Sequence, residues 1–187
     1  MKTQATITFS HTLLSMRKNR ILLDGAIYHV SARVNNKEHL LSSPQLKILF
    51  QNIMLRAKIR FDLKIENFTI MNNHYHIMIR PGKGESLSKI MQWIMSMFAR
   101  AYNKRTGRTG HFWGERYFSR IIYTLEQYLR VFEYLDLNPV RANLVDSVSA
   151  WPFGGIQNSA SLKKRIVESI PSFLHPFLST RKLLQLS

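Results

Sequence analysis

The sequence predicts an α+β domain of the ferredoxin-like type, with helices packed on one face of an antiparallel sheet, and three observations lead there. Runs rich in strand formers alternate with longer apolar stripes at helical spacing, in the order strand, helix, strand, strand, helix, strand, helix. Hydrophobic residues make up 45% of 187 residues, which suits one sizeable core rather than two full domains. Turn formers and helix caps fall at the joints between the runs.

Residues 1–24 show no clear period and contain the cluster Arg17-Lys18-Asn19-Arg20, so they read as a basic arm. After Asp24-Gly25, Ala26-Ile-Tyr-His-Val-Ser-Ala-Arg33 alternates as a first strand. Ser43-Pro44 opens a helix with the stripe Leu46, Leu49, Phe50, Ile53, Met54 and Ala57. Phe68 to Met71 and His74 to Ile79 form a hairpin around Asn72-Asn73, residues that tolerate the positive φ of a tight turn. Ser86 caps a helix carrying Ile90, Trp93, Ile94, Met97, Phe98 and Ala101. Tyr117 to Tyr123 is a further strand. Thr124 and Gln127 fit a capping box for a final helix from about Leu125 to Asn138, where Pro139 is expected to stop it. Beyond Trp151-Pro-Phe-Gly-Gly155 the composition changes, so the domain is drawn over residues 25–153, with 154–187 as a C-terminal extension of no assigned role.

Charge narrows the partner. With 27 Lys and Arg against 11 Asp and Glu, the net charge is +16 and the pI near 10.5, which favours nucleic acid. Membrane is the weaker reading, because no apolar run approaches the roughly eighteen residues of a spanning helix. The absence of cysteine excludes disulfide frameworks, thiolate zinc sites and thiol nucleophiles. No export signal is legible, which places the chain in the cytoplasm.

Two local patterns carry chemistry. In Met71-Asn-Asn-His-Tyr-His76, strand alternation points His74 and His76 to one face, with spacing that lets both imidazoles reach one metal ion. A strand with two ordinary histidines satisfies the same pattern. On the last helix, Tyr128, Leu129, Phe132 and Leu135 form an apolar stripe, and Tyr134, Asn138 and Arg130 lie away from it. A partly exposed tyrosine is one explanation. The other is a phenol presented for attack, with Asn138 one turn on and Arg130 one turn back, because a phenol ordinarily titrating near 10 needs such company to act as a nucleophile.

The pieces Gly25-Ala-Ile-Tyr-His-Val-Ser-Ala-Arg33, Met71-Asn-Asn-His-Tyr-His76, Gly110-His-Phe-Trp-Gly-Glu-Arg-Tyr117, Tyr134-Leu-Asp-Leu-Asn-Pro-Val-Arg-Ala142 and Trp151-Pro-Phe153 occur in this order. In them the chain resembles the REP-associated tyrosine transposases, a branch of the single-tyrosine HUH transposases. Asn72 stands where that family commonly has proline, and Asn143 where it commonly has glycine. The resemblance implies that His74 and His76 hold Mg²⁺ or Mn²⁺, with Asn138 as a third polar ligand, and that Tyr134 is the nucleophile. It further implies that hairpin-bearing single-stranded DNA is cut and rejoined through a 5′-phosphotyrosine.

The expected DNA contacts are Arg33, Arg100, Lys104, Arg105, Arg108, Arg116, Arg120, Arg130 and Arg141. Tyr102, Phe112 and Trp113 are interleaved with several of them, as in base-stacking surfaces. Two competing functions share the DNA partner: a non-catalytic hairpin-binding protein, and a metal-dependent phosphodiesterase in which water attacks. Monomer and homodimer both remain open.

Overall fold

The computed structural model describes residues 23–160, 165–169 and 172–178; the basic arm therefore lies, but for Leu23 and Asp24, outside the described residues. Four strands, β1 (Ile27–Arg33), β2 (Leu63–Ile70), β3 (His74–Pro81) and β4 (Phe118–Ile122), form one antiparallel sheet in the order β2-β3-β1-β4. This is the order produced by two interlocked strand-helix-strand units, the ferredoxin-like arrangement. Strand β2 begins at Leu63, five residues before the expected start at Phe68, because Leu63 and Ile65 alternate into the core.

Alternation divides the sheet into two faces. On one, Tyr28, Val30, Tyr75, Ile77 and Ile79 pack beneath α1 (Pro44–Arg60) and α2 (Leu87–Thr106). On the other, Met78 meets Tyr128, Phe132 and Leu135 of α3 (Leu125–Arg141), joined by Leu174 and Leu178. The α+β class stands as expected, but the placement of every helix on one face is corrected: α3 takes the second face, where Met78 floors its apolar stripe. Leu125, at the start of α3, is exposed.

The hairpin is closed by the Met71 N–H donating to the His74 carbonyl at 2.8 Å. Neither asparagine of the turn has positive φ, contrary to expectation. They serve as anchors instead. The Asn72 carbonyl accepts from the Leu41 N–H at 2.9 Å, the Asn73 carbonyl from the Val34 N–H at 2.8 Å, and Asn72 Oδ1 from Lys47 Nζ at 3.0 Å. Lys47 is buried on α1 between this turn and the rings of Trp151 and Phe153, and burial pushes its ammonium down to about 8.

Helix α3 starts as its cap predicts, with the Gln127 N–H donating to Thr124 Oγ1 at 3.2 Å. It does not stop at Pro139 but runs to Arg141, since a proline near the last turn forfeits only one helical hydrogen bond. The end is a Schellman motif: Leu144 N–H donates to the Pro139 carbonyl at 3.0 Å and Asn143 N–H to the Val140 carbonyl at 2.9 Å. Asn143 has φ 52°, the left-handed position that glycine fills most easily and asparagine tolerates.

A register shift between Ile65 and Asn67 in β2 turns the Asn67 side chain toward α3. Its Nδ2 donates to Asp136 Oδ1 at 2.9 Å and to the Phe132 carbonyl at 3.1 Å, which fixes the helix that carries Tyr134. The described residues from Phe153 onward pack against both faces. Ile70 N–H donates to the Phe153 carbonyl at 3.0 Å, covering part of the β2 edge, and Ile166 and Val167 enter the core under α1.

Candidate active site

His74 and His76 share the face that α3 only partly covers, with ring centroids 5.1 Å apart and planes nearly perpendicular. The Tyr134 ring lies 5.3 Å from that of His76. Tyr134 is 37% exposed, whereas Phe132, two residues before it, is fully buried, so the phenol sits on the helix flank between the sheet and solvent. Asn138, one turn on, is half-buried on the same side.

A third histidine completes the cluster. His29 of β1 places Nε2 2.9 Å from His76 Nδ1, and its ring lies 5.1 Å from that of His76 and 6.1 Å from that of Tyr134. Sequence reasoning missed it. The alternation of Tyr28, His29 and Val30 did put His29 on the face away from the core, but its meeting with His76 depends on the β1–β3 pairing, which local pattern does not reveal.

All three imidazoles are held neutral. Burial pushes His29 and His74 down to about 4, assisted by Arg120 and Arg33 respectively. Burial also lowers His76, to about 3, with His29, His74 and Arg33 adding to the effect. Neutral imidazole is the form that donates a lone pair to a metal. His74 Nδ1 lies 2.7 Å from Asn73 Oδ1, an acceptor, so Nδ1 carries the proton and Nε2 keeps the lone pair. Among the described residues no three His, Cys, Asp or Glu side chains group as a closed metal cage.

The expected DNA-binding residues divide by position. Arg141 lies over the Tyr134 ring at 6.0 Å, Arg120 pairs in register with His29, Arg33 with His74, and Arg116 lines a cavity that also contains the histidine pair. Arg130 lies elsewhere: it pairs with Glu126 one turn back, so the charge expected beside Tyr134 comes from Arg141. Arg108 is paired with Glu38 at 3.2 Å. Lys104 and Arg105 are exposed in the last turn of α2, and Arg100 lines a separate groove on that helix with Arg60 and Lys89. The stacking role expected of Tyr102, Phe112 and Trp113 is corrected, because these rings pack on Phe98 and on one another, and Trp113 Nε1 donates to the Met95 carbonyl.

A ferredoxin-like sheet that presents a histidine pair on β3 to a tyrosine on α3 defines the class of fold and site. The chain belongs to the family described as "Transposase IS200 like", whose pattern matches residues 23–137. It is 22% identical over 135 residues to a REP-associated tyrosine transposase of Escherichia coli (strain K12), covering 72% of this chain and 78% of that protein. It also shares its fold with a solved REP-associated tyrosine transposase bound to a REP hairpin, with a TM-score of 0.67, 19% identity and coverage of 83% of this chain and 92% of the other. Among the described residues no helix is long and apolar enough to cross a membrane.

Proposed function

We propose that this protein cuts and rejoins single-stranded DNA beside hairpins of the REP type, with Tyr134 as the nucleophile. The observation that carries this reading is the Tyr134 ring standing 5.3 Å from His76 on the open flank of α3. Tyr134 Oη attacks the scissile phosphorus, the bond from phosphorus to the 3′ oxygen breaks, and the leaving strand departs with a 3′-OH. The remaining strand stays on Tyr134 through its 5′ phosphate. Attack by a 3′-OH on that phosphotyrosine reverses the step, so strands are rejoined without hydrolysis.

The donor set fits a divalent cation: two neutral imidazoles on one face, and an amide on the adjoining helix flank. His74 Nε2, His76 Nε2 and the Asn138 side chain would hold Mg²⁺ or Mn²⁺, which supplies Lewis-acid stabilisation of charge on the phosphate. His76 would offer that nitrogen in the tautomer whose Nδ1–H donates to His29 Nε2, 2.9 Å away, which makes His29 the acceptor that the competent form requires. Arg33, Arg120 and Arg141 stand where phosphate oxygens would be gripped. The protein works in the cytoplasm as a monomer or homodimer, which sedimentation of the complex with DNA distinguishes.

The test is incubation with end-labelled hairpin oligonucleotides and Mn²⁺, followed by denaturing electrophoresis. Label that stays with the protein, and is lost in Tyr134→Phe, is the expected result. Cleavage without covalent label would favour attack by water, and binding without cleavage a non-catalytic hairpin binder.

A further inference from the structure

Beside the histidine pair lies a cavity of about 520 Å³, in the range that small ligands occupy. One wall is the sheet itself. In the row across the strands, Phe118 of β4 faces Ser31 of β1, which faces His76 of β3. Phe118 is therefore two strands, roughly 10 Å, from His76, with only a small serine between them. The segment around Gly114 extends the sheet beyond β4 and also lines the cavity, tied to the end of β1 by Gly114 N–H donating to the Arg33 carbonyl at 3.0 Å and Asn35 N–H to the Phe112 carbonyl at 2.9 Å. It lies so close that a Cβ on Gly114 would stand 3.3 Å from Asn35 Cα.

Phe118 is 57% exposed, in contrast to Phe50, Phe68 and Phe98, which are fully buried. A single exposed aromatic is ordinary on a protein surface. One that forms part of a cavity containing the proposed metal-binding histidines is not explained that way. The chemistry of the walls separates base from phosphate. Glu115 would repel a phosphate but accepts from the exocyclic amines of cytosine, adenine or guanine, and Asn35 offers both a donor and an acceptor. Arg33 and Arg116 supply positive charge for the backbone on either side.

We propose that this cavity is a subsite for one unpaired nucleobase of the DNA strand, stacked on Phe118, next to the phosphate that Tyr134 attacks. The proposal rests on the reading of the chain as a single-stranded DNA transposase. Phe118 supplies the aromatic face, Ser31 the clearance, and Glu115 and Asn35 the groups that discriminate among bases. Phe118 thus replaces Tyr102, Phe112 and Trp113 as the ring that meets DNA.

The full chain is titrated with hairpin oligonucleotides in which 2-aminopurine occupies each unpaired position in turn. In the wild type, emission is quenched by stacking at one position near the cleavage point. Phe118→Leu restores emission at that position alone and weakens binding on the order of tenfold, while Phe118→Trp keeps the wild-type quenching and affinity. Equal quenching in wild type and Phe118→Leu, or bound DNA with no quenched position, overturns the subsite while covalent labelling of Tyr134 persists. A wild type that neither binds a hairpin nor acquires label overturns the transposase reading as well.

Discussion

Successive residues of β3 lead to opposite environments. Tyr75 points under α1, against Phe50 at 4.8 Å and Trp113 at 5.3 Å, and its buried hydroxyl has no hydrogen-bond partner among the described residues. Burial pushes that phenol far above its ordinary range, with Tyr117 adding to the effect, so it stays protonated. His74 and His76 point the other way, to a face where α3 leaves a gap and four arginines gather. Tyr75 and Tyr134 are both tyrosines close to the histidines in space or sequence, yet only Tyr134 has solvent and positive charge beside it. What separates structural from chemical roles here is the face of the sheet, because strand alternation sends neighbours into different surroundings.

Substitutions on the two faces should therefore fail in different ways. The largest effect is expected for His76→Ala, which removes a proposed cation ligand: cleavage in Mn²⁺ falls at least about a hundredfold, because such stabilisation is worth several kcal/mol. Its thermal midpoint should change far less than that of Phe50→Ala on the dry face, where about 3–5 kcal/mol of stability is lost. A cleavage rate unchanged in His76→Ala would end the assignment of the pair.

Acid should act through the histidine face. The folded-state values near 4, 4 and 3 lie below the unfolded value of 6.5, so the unfolded chain binds protons first. Stability is full above about pH 6.5 and falls as pH drops toward 4, by up to about 1.4 kcal/mol per pH unit for each histidine. Urea midpoints at pH 7.5, 6 and 5 measure this. His29→Gln should flatten the profile by one histidine's share, and an unaltered profile would show that its imidazole is not held neutral.

Asn67→Ala tests the joint between the faces. Losing the hydrogen bond to the buried Asp136 carboxylate should cost about 1.5–3 kcal/mol in denaturant titration and loosen the helix carrying Tyr134. The smallest effect is expected for Tyr75→Phe. Removal of an unpartnered buried hydroxyl should leave the thermal midpoint equal or higher and the cleavage rate unchanged.

The sequence was informative where local period decides. The strand alternation around His74 and His76, the cap at Thr124 and the flank position of Tyr134 all follow from spacing, and all are present. It was silent where distant segments meet. Arg141 rather than Arg130 stands by Tyr134 because α3 continues past Pro139, and Arg130 has Glu126 within reach. The aromatic residues Tyr102, Phe112 and Trp113 look like a stacking surface among basic neighbours, but the buried face of α2 and the loop after it turn them inward. His29 and Phe118 gain meaning only from the strand register.

The most direct test of Tyr134 as the nucleophile is mass spectrometry of the trypsin-digested covalent product. The fragment from Val131 to Arg141 contains a single tyrosine, so its mass identifies the attachment site. A 5′-phosphorylated nucleotide on that fragment, absent from Tyr134→Phe, is the predicted result. Attachment to another tyrosine, such as Tyr123 or Tyr128, or cleaved DNA with no attached peptide, would contradict it.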